Sequence, residues 1–232
     1  MKISFVIPVF NEFKTLKKAI EEVLDLEEIN KEIIIVDNNS TDGSKDIIKE
    51  FANQKNIQII LKEQNLGYGD SIKRAINVST GDYIYIQYAD LEYDIKGFYL
   101  MYNCIISSGV DFVFGERYKK ISLLESFKNI VYRPAYLGTF VTTSLINFFY
   151  KKDFNDIIGS KLYETKKIKQ INITSSGQGF DFELVSKINK KEYKVNSVLI
   201  PYKPRSNSRE KKIKFYHMFV ALYQIFKVKF FI

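Results

Sequence analysis

The chain has one cysteine, Cys104, and one histidine, His217, in 232 residues. A disulfide framework is therefore excluded, which suits a reducing compartment. A structural zinc site, which draws its ligands from clusters of Cys and His, is excluded with it. The opening "MKISFVIPVFNE" carries an apolar run of only a few residues. A signal peptide core needs roughly 7–15, so the chain is expected in the cytosol. No Gly-x-x-x-x-Gly-Lys-Ser/Thr loop is present, and no Gly-x-Gly-x-x-Gly follows the first apolar run. "NLGYGD" is a lone Gly-x-Gly placed after the third. These absences argue against a P-loop NTPase and a dinucleotide oxidoreductase. A membrane-spanning helix needs about 20 apolar residues, and residues 213–232 are interrupted by Lys214, His217, Lys227 and Lys229. There are no internal repeats and no low-complexity linker.

What is present is a globular composition, 46% apolar and 27% charged, of a length that suits one domain with at most a small appendage. The net charge of +8 is unevenly spread. Residues 201–232 hold eight Lys/Arg and one Glu, leaving 27 basic and 26 acidic residues in the first 200. A nearly neutral body with a basic tail suits phosphates or an anionic membrane surface; a solvated lysine-rich end is the structural alternative. The tail contains no recognisable nucleic-acid module, so no nucleic-acid partner is expected.

Apolar runs alternate with helical periodicity over the first 95 residues: "KISFVIPVF", "KEIIIVD", "IQIIL" and "DYIYIQYAD" are strands, separated by amphipathic helices. Continuous Val/Ile runs in a β-α-β-α-β-α-β order predict an α/β fold whose mostly parallel sheet is flanked by helices on both faces. Ligands of such sheets bind beyond the carboxyl ends of the strands. Three polar turns then converge on one edge: Asn11–Glu12, Asp37–Asp42 and Asp90–Asp94. Asp90 and Glu92 are hard oxygen ligands suited to Mg²⁺ or Mn²⁺. In the second half, "VDFVFGERY" and "KVNSVLIPYKPR" read as strands, "PAYLGTFVTTSLINFFY" as an apolar helix, and the last residues as a basic, aromatic helix.

"VIPVFNE", "IIIVDNNSTDGS", "NLGYGDSIKRAI" and "IQYADLEYD" resemble, in order and spacing, the motifs of family 2 glycosyltransferases with the GT-A fold. "GERY", "NDIIGSKLYETKKI", "GFDFELVSKI" and "IPYKPRSNSREKKI" resemble the branch that includes dolichyl-phosphate mannose synthase and the undecaprenyl-phosphate sugar transferases. The resemblance covers about residues 1–215 and implies a Rossmann-like GT-A domain, taken as 1–212, followed by a basic amphipathic helix over 213–232 at a membrane interface.

It also implies site residues. Pro8, Asn11 and Glu12 would line the nucleotide pocket. Asp37 would read the nucleobase, with Asn38 where many relatives carry a second acid. Gly67 and Gly69 would admit the nucleotide to the backbone, although a plain turn explains them equally. The acidic motif maps onto Tyr88, Ala89 and Asp90, Tyr88 replacing its first acid, and Asp90 and Glu92 would hold Mg²⁺ or Mn²⁺. Asp42 and Asp94 are expected to cap helices. Arg117 would face the acceptor phosphate or the diphosphate, and Asp156 would lie near the anomeric carbon with Lys161 as a companion. Asp181 and Glu183 are further candidates, one of them a helix cap. Arg205, Arg209, Lys211 and Lys212 would hold the acceptor phosphate or close over the donor.

The implied reaction is a single in-line displacement, with inversion, that moves a hexose from a UDP- or GDP-linked donor to a polyprenyl phosphate. An acceptor already ionised needs no strong base. The implied setting is the cytoplasmic face of a membrane, bound peripherally through the C-terminal helix, with room for a separate membrane-protein partner. Two alternatives stay open. One is a saccharide or lipopolysaccharide acceptor; the other, kept alive by Tyr88, is a non-catalytic sugar-nucleotide or lipid-binding subunit.

Overall fold

The computed structural model describes residues 1–119, 135–205 and 216–232. The expected sheet is found. Its strands are β1 (Ile3–Val9), β2 (Lys31–Asp37), β3 (Ile57–Leu61), β4 (Tyr83–Ile86), β5 (Phe112–Glu116), β6 (Lys161–Glu164) and β7 (Val195–Leu199), in the order β3-β2-β1-β4-β6-β5-β7. β6 alone runs antiparallel, paired on both sides, and the other strands are parallel to one another.

The helices of the first half are α1 (Leu16–Leu24), α2 (Ser44–Glu50), α3 (Tyr68–Val78) and α4 (Lys96–Ser108). The second half contributes α5 (Ala135–Tyr150), α6 (Thr165–Lys169), α7 (Phe180–Lys190) and α8 (His217–Phe231). Strand alternation divides the core in two. Phe5, Ile7 and Val9 pack with α1, α2 and α4, whereas Val6, Ile34 and Ile86 pack with α3, α5, α7 and α8. Both faces are covered, which is why these strands read as unbroken apolar runs. In α1 the buried residues Leu16, Ala19, Ile20 and Val23 fall on one helical face.

α8 buries Ala221, Ile225 and Val228 and packs against α7 and α5. Its other face carries exposed aromatics, so the helix is apolar on two sides. The proposed boundary at 212/213 lies outside the described residues, as do Arg209, Lys211 and Lys212.

The strand order reverses between β1 and β4, with β1, β2 and β3 on one side and β4 opening the other. Registers Val9 to Asp37 and Val6 to Ile86 turn the carboxyl ends of β1, β2 and β4 to one edge, β4 ending three residues short of β1. The parallel orientation of β5 and β7 adds Glu116 and Leu199 to the same edge, where β6 begins. A crevice at such a switch point is where open α/β sheets bind ligands.

Candidate functional site

Loops from seven chain segments meet at that edge. After β1, Asn11 stands at φ 54, its N–H donates to Ser40 Oγ at 2.9 Å, and its Oδ1 accepts from Thr41 N–H at 2.8 Å. Pro8, within β1, lies in register with Val36. The Asp37 carboxylate, fully buried, accepts the Ser40 N–H at 3.1 Å. Asp42 accepts from both the N–H and the hydroxyl of Ser44 at the start of α2, but the N-cap position itself is taken by Gly43. The other Asp42 oxygen accepts Phe13 N–H at 2.9 Å, tying the first two loops together. Asp94 accepts Lys96 N–H at 2.8 Å at the head of α4.

Asn38 is fixed by a network that sequence reading missed. Its Oδ1 accepts from Lys62 Nζ at 2.6 Å and Leu66 N–H at 3.2 Å, and its Nδ2 donates to Asn65 Oδ1 at 2.7 Å. Lys62 also meets Asp70 at 2.7 Å with its side chain only 3% exposed. A buried lysine with two oxygen partners holds the amide in one orientation beside Asp37. Only its position just past β3 could have drawn attention to Lys62.

Gly67 and Gly69 each admit a close neighbour from within the chain. A Cβ on Gly67 would stand 2.6 Å from the Ser176 carbonyl oxygen, and one on Gly69 would stand 2.7 Å from Phe180 Cβ. The close approach they permit is to the chain before α7, and Asp70 N–H seals it by donating to Ser176 O at 2.9 Å.

Tyr88 is one rung of a tyrosine ladder. It stacks on Tyr68 with centroids 6.2 Å apart and planes 11° apart, and the two hydroxyls are 3.0 Å apart. On its other side it stacks on Tyr93 at 5.1 Å, and Tyr93 lies 5.2 Å from Tyr202. Tyr118 continues the series, 6.3 Å from Tyr202 and 5.0 Å from Tyr136 on α5. Burial, with the nearby Asp181 charge, keeps the Tyr88 phenol well above its ordinary pKa, so it brings no charge to the site. These rings come from five separate segments, and no local spacing announces the ladder.

Ala89 is buried, and half-buried Asp90 follows it. Among the described residues Asp90 accepts one hydrogen bond, from Glu92 N–H at 3.1 Å, across Leu91 at φ 57. Burial pushes the Asp90 carboxyl up to about 6; the Glu92 N–H and Arg205 pull the other way, and the charges of Glu92 and Glu12 add to the rise. Each oxygen of Glu92 already accepts a hydrogen bond, from Tyr202 O–H and from Arg205 N–H, both at 3.0 Å. Lys203 N–H donates to Glu92 O at 2.8 Å, and Tyr93 and Tyr202 form a bridge. Glu92 thus clamps the segment that follows β7. The Arg205 guanidinium pairs with Glu12, and Glu12 N–H donates to Ser44 Oγ at 3.0 Å.

No group of three or more His, Cys, Asp or Glu with metal-binding geometry occurs among the described residues. The donor set nevertheless fits a hard divalent cation. Asp90 is a carboxylate whose charge is disfavoured by burial and by two neighbouring acids, and among the described residues a single backbone N–H donates to it. A cation would relieve that, with water and a diphosphate filling the remaining positions. Of the two expected ligands, Asp90 is the open one.

Arg117 and Asp156 form the most enclosed ion pair of the edge, with side chains 10% and 0% exposed. Asp156 accepts from Arg117 N, Nε and Nη2 at 3.1, 2.6 and 3.0 Å, and from Ile158 N–H at 2.9 Å. Burial opposes both charges, but their attraction outweighs it: the carboxyl lies below its ordinary pKa and the guanidinium above. Nη2 also donates to Thr139 Oγ1 at 3.1 Å, and the guanidinium carbon lies 5.2 and 5.3 Å from the Tyr118 and Tyr202 ring centroids. Among the described residues nothing accepts from Nη1.

Lys161, expected beside Asp156, instead meets Asp181 at 3.3 Å. Glu183 accepts the N–H groups of Thr174 and Ser175, at 3.0 and 2.8 Å, and pairs with Lys187 at 2.6 Å. It is the structural member of the "GFDFE" pair.

The family model described as "Glycosyl transferase family 2" matches residues 4–188. A cholesterol galactosyltransferase of Borreliella burgdorferi is 24% identical over 93% of this chain and 64% of its own length. A dolichol-phosphate mannosyltransferase of Pyrococcus furiosus is 26% identical over 55% of this chain and 36% of its own. The curated relatives it matches are longer, and the chain spans between 23% and 64% of their length.

Two solved structures share the fold. Glucosyl-3-phosphoglycerate synthase of Mycobacterium tuberculosis, solved with Mg²⁺ and UDP, superposes with a TM-score of 0.67 at 15% identity, covering 98% of this chain and 77% of that one. The mannosyltransferase PcManGT of Pyrobaculum calidifontis, solved with GDP-mannose and Mn²⁺, gives 0.64 at 14% identity, covering 90% and 58%. The sheet is therefore that of a GT-A glycosyltransferase. With about four-fifths of its residues matched, including the edge that carries Asn11, Asp37 and Asp90, the chain belongs to glycosyl transferase family 2.

Proposed function

We propose that this protein transfers a hexose from a UDP- or GDP-linked donor to a polyprenyl phosphate, with inversion at the anomeric carbon. The observation that carries this reading is Arg117. Asp156 and Thr139 hold Nε and Nη2, two tyrosine rings flank the plane, and no described residue accepts from Nη1, which is offered to a ligand. A guanidinium fixed in this way is suited to a phosphate oxygen. Asp156 serves as its positioning residue. Asn11, Glu12, Asp37 and Asn38 surround the place for the nucleoside, and Asp90 would hold Mg²⁺ or Mn²⁺. When bound, the cation neutralises charge on the departing diphosphate. The acceptor phosphate is already ionised, so positioning and charge balance supply the catalysis.

A hydroxyl acceptor would need a general base instead. Asp156 is wholly engaged by Arg117, and the charge of Asp181 is balanced by Lys161. Neither arrangement favours proton removal.

The lipid substrate calls for access to a membrane, and no helix among the described residues is long and apolar enough to cross one. Tyr223, Phe226 and Phe230 form an exposed stripe on α8, with Phe231 83% and Phe148 of α5 78% exposed beside it. Lys227 lies over the Tyr223 ring at 5.9 Å. Aromatics and lysines in this arrangement suit the interface of an anionic bilayer on the cytoplasmic side.

The test incubates the protein with Mn²⁺ or Mg²⁺, labelled UDP- and GDP-hexoses and a short-chain polyprenyl phosphate, and separates lipid-linked sugar by thin-layer chromatography. Product is expected from one donor, to be lost with Asp90→Asn and absent with unphosphorylated polyprenol. Equal product from the free alcohol, or none from any donor, refutes the assignment.

A further inference from the structure

The Arg205 guanidinium occupies the middle of the acidic part of the site. It pairs with Glu12, and the Arg205 backbone N–H donates to Glu92, whose N–H in turn donates to Asp90. The Arg205 side chain is only 17% exposed and that of Glu12 10%, so the interaction is weakly screened. Among the described residues this guanidinium thus stands against Glu12, with Glu92 on its backbone, at the place where Asp90 would take a divalent cation. The backbone beneath it is anchored separately: Arg205 N–H to Glu92 at 3.0 Å, Lys203 N–H to Glu92 O at 2.8 Å, and the Tyr93–Tyr202 bridge. The segment can stay pinned while the long side chain turns. A guanidinium leaves a carboxylate readily for a diphosphate, which offers more charge and the same fork geometry.

We propose that Arg205 is an internal counter-cation. In the donor-free protein it neutralises the Glu12, Asp90 and Glu92 carboxylates, and a divalent cation gains full access to Asp90 only once a nucleoside diphosphate has drawn the guanidinium onto its phosphates. This rests on the reading that the site takes a metal-bound nucleotide sugar. Metal and nucleotide then bind with positive coupling, and Arg205 is the residue that creates much of it. The coupling is reciprocal, as linkage requires. It also protects the site from collecting cations when no donor is present.

The test measures Mn²⁺ binding to the full chain by the electron paramagnetic resonance signal of free Mn²⁺, without nucleotide and with UDP or GDP. Without nucleotide, Arg205→Gln is expected to bind Mn²⁺ about 5- to 150-fold more tightly than wild type, the usual span of such coupling. The gain from adding nucleotide should shrink by the same factor. Arg205→Lys, which keeps the charge but not the fork, should fall between the two. Arg205→Gln combined with Asp90→Asn should lose the gain, because the cation sits on Asp90. Equal or weaker Mn²⁺ binding by Arg205→Gln, in a protein that does bind Mn²⁺ with nucleotide, overturns the proposal and leaves the donor reading standing. Wild type that binds no Mn²⁺ with either nucleotide overturns both.

Discussion

Replacing Asp156 with Asn removes one charge from a pair whose side chains are 0% and 10% exposed. The asparagine oxygen can still accept from the Arg117 and Ile158 backbone N–H groups, which donate at 3.1 and 2.9 Å. The guanidinium, which donated to Asp156 through Nε and Nη2, is left buried without a counter-charge. Breaking one side of a buried ion pair costs about 3–5 kcal/mol. At roughly 2–4 °C per kcal/mol for a chain of this size, the melting temperature should fall by roughly 6–20 °C. Adding Arg117→Met removes the stranded charge, and the double variant should recover most of the loss, to within about 1–2 kcal/mol of wild type. Urea denaturation followed by far-ultraviolet circular dichroism measures all three proteins. A double variant less stable than Asp156→Asn alone refutes the reasoning. Both variants should lose transfer activity, since each disturbs the Nη1 group offered to the acceptor.

Gly69→Ala places a Cβ 2.7 Å from Phe180 Cβ and 3.0 Å from Ser175 O, and should cost about 1–3 kcal/mol in urea denaturation. Gly138→Ala in α5, where no described residue lies within 4 Å, should be neutral or stabilising by up to about 1 kcal/mol. In Glu183, burial opposes ionisation, but Lys187 and the Thr174 and Ser175 groups overcome it and hold the carboxyl down to about 2 against an ordinary 4.5. Its contribution to stability is complete above pH 4.5 and is lost as the pH falls from there towards 2, so Glu183→Gln should flatten the acid limb of a stability–pH curve. Ile225→Ala, at a fully buried position of α8, should cost about 2–5 kcal/mol. Phe230→Ser, 61% exposed, should leave stability within about 0.5 kcal/mol while lowering sedimentation with anionic vesicles.

Much of the frame was legible because its causes are local. Unbroken Val/Ile runs mark strands covered on both faces, and Leu16, Ala19, Ile20 and Val23 mark a helix by spacing alone. Parallel strands then force the turns at Asn11, Asp37 and Asp90 to one edge. The antiparallel β6 was less legible, since a four-residue strand has too few positions to reveal its direction. The replacement at Tyr88 was visible, but its place among Tyr68, Tyr93 and Tyr202 was not, because the partners are up to 114 residues away.

The sequence by itself determined the α/β order, the edge that carries the site, the surplus of cations near the end of the chain and the choice of oxygen over sulfur ligands. These follow from periodicity and composition, which act over one turn or one strand. Only the tertiary structure decided what each polar side chain does once it is there. Asp156 holds Arg117, Glu92 clamps the segment after β7, Gly67 and Gly69 admit a neighbouring loop, and Arg205 sits among the carboxylates. A buried charge settles on whichever opposite charge packing brings within hydrogen-bond reach, and that distance is a property of the assembled sheet edge rather than of any one segment.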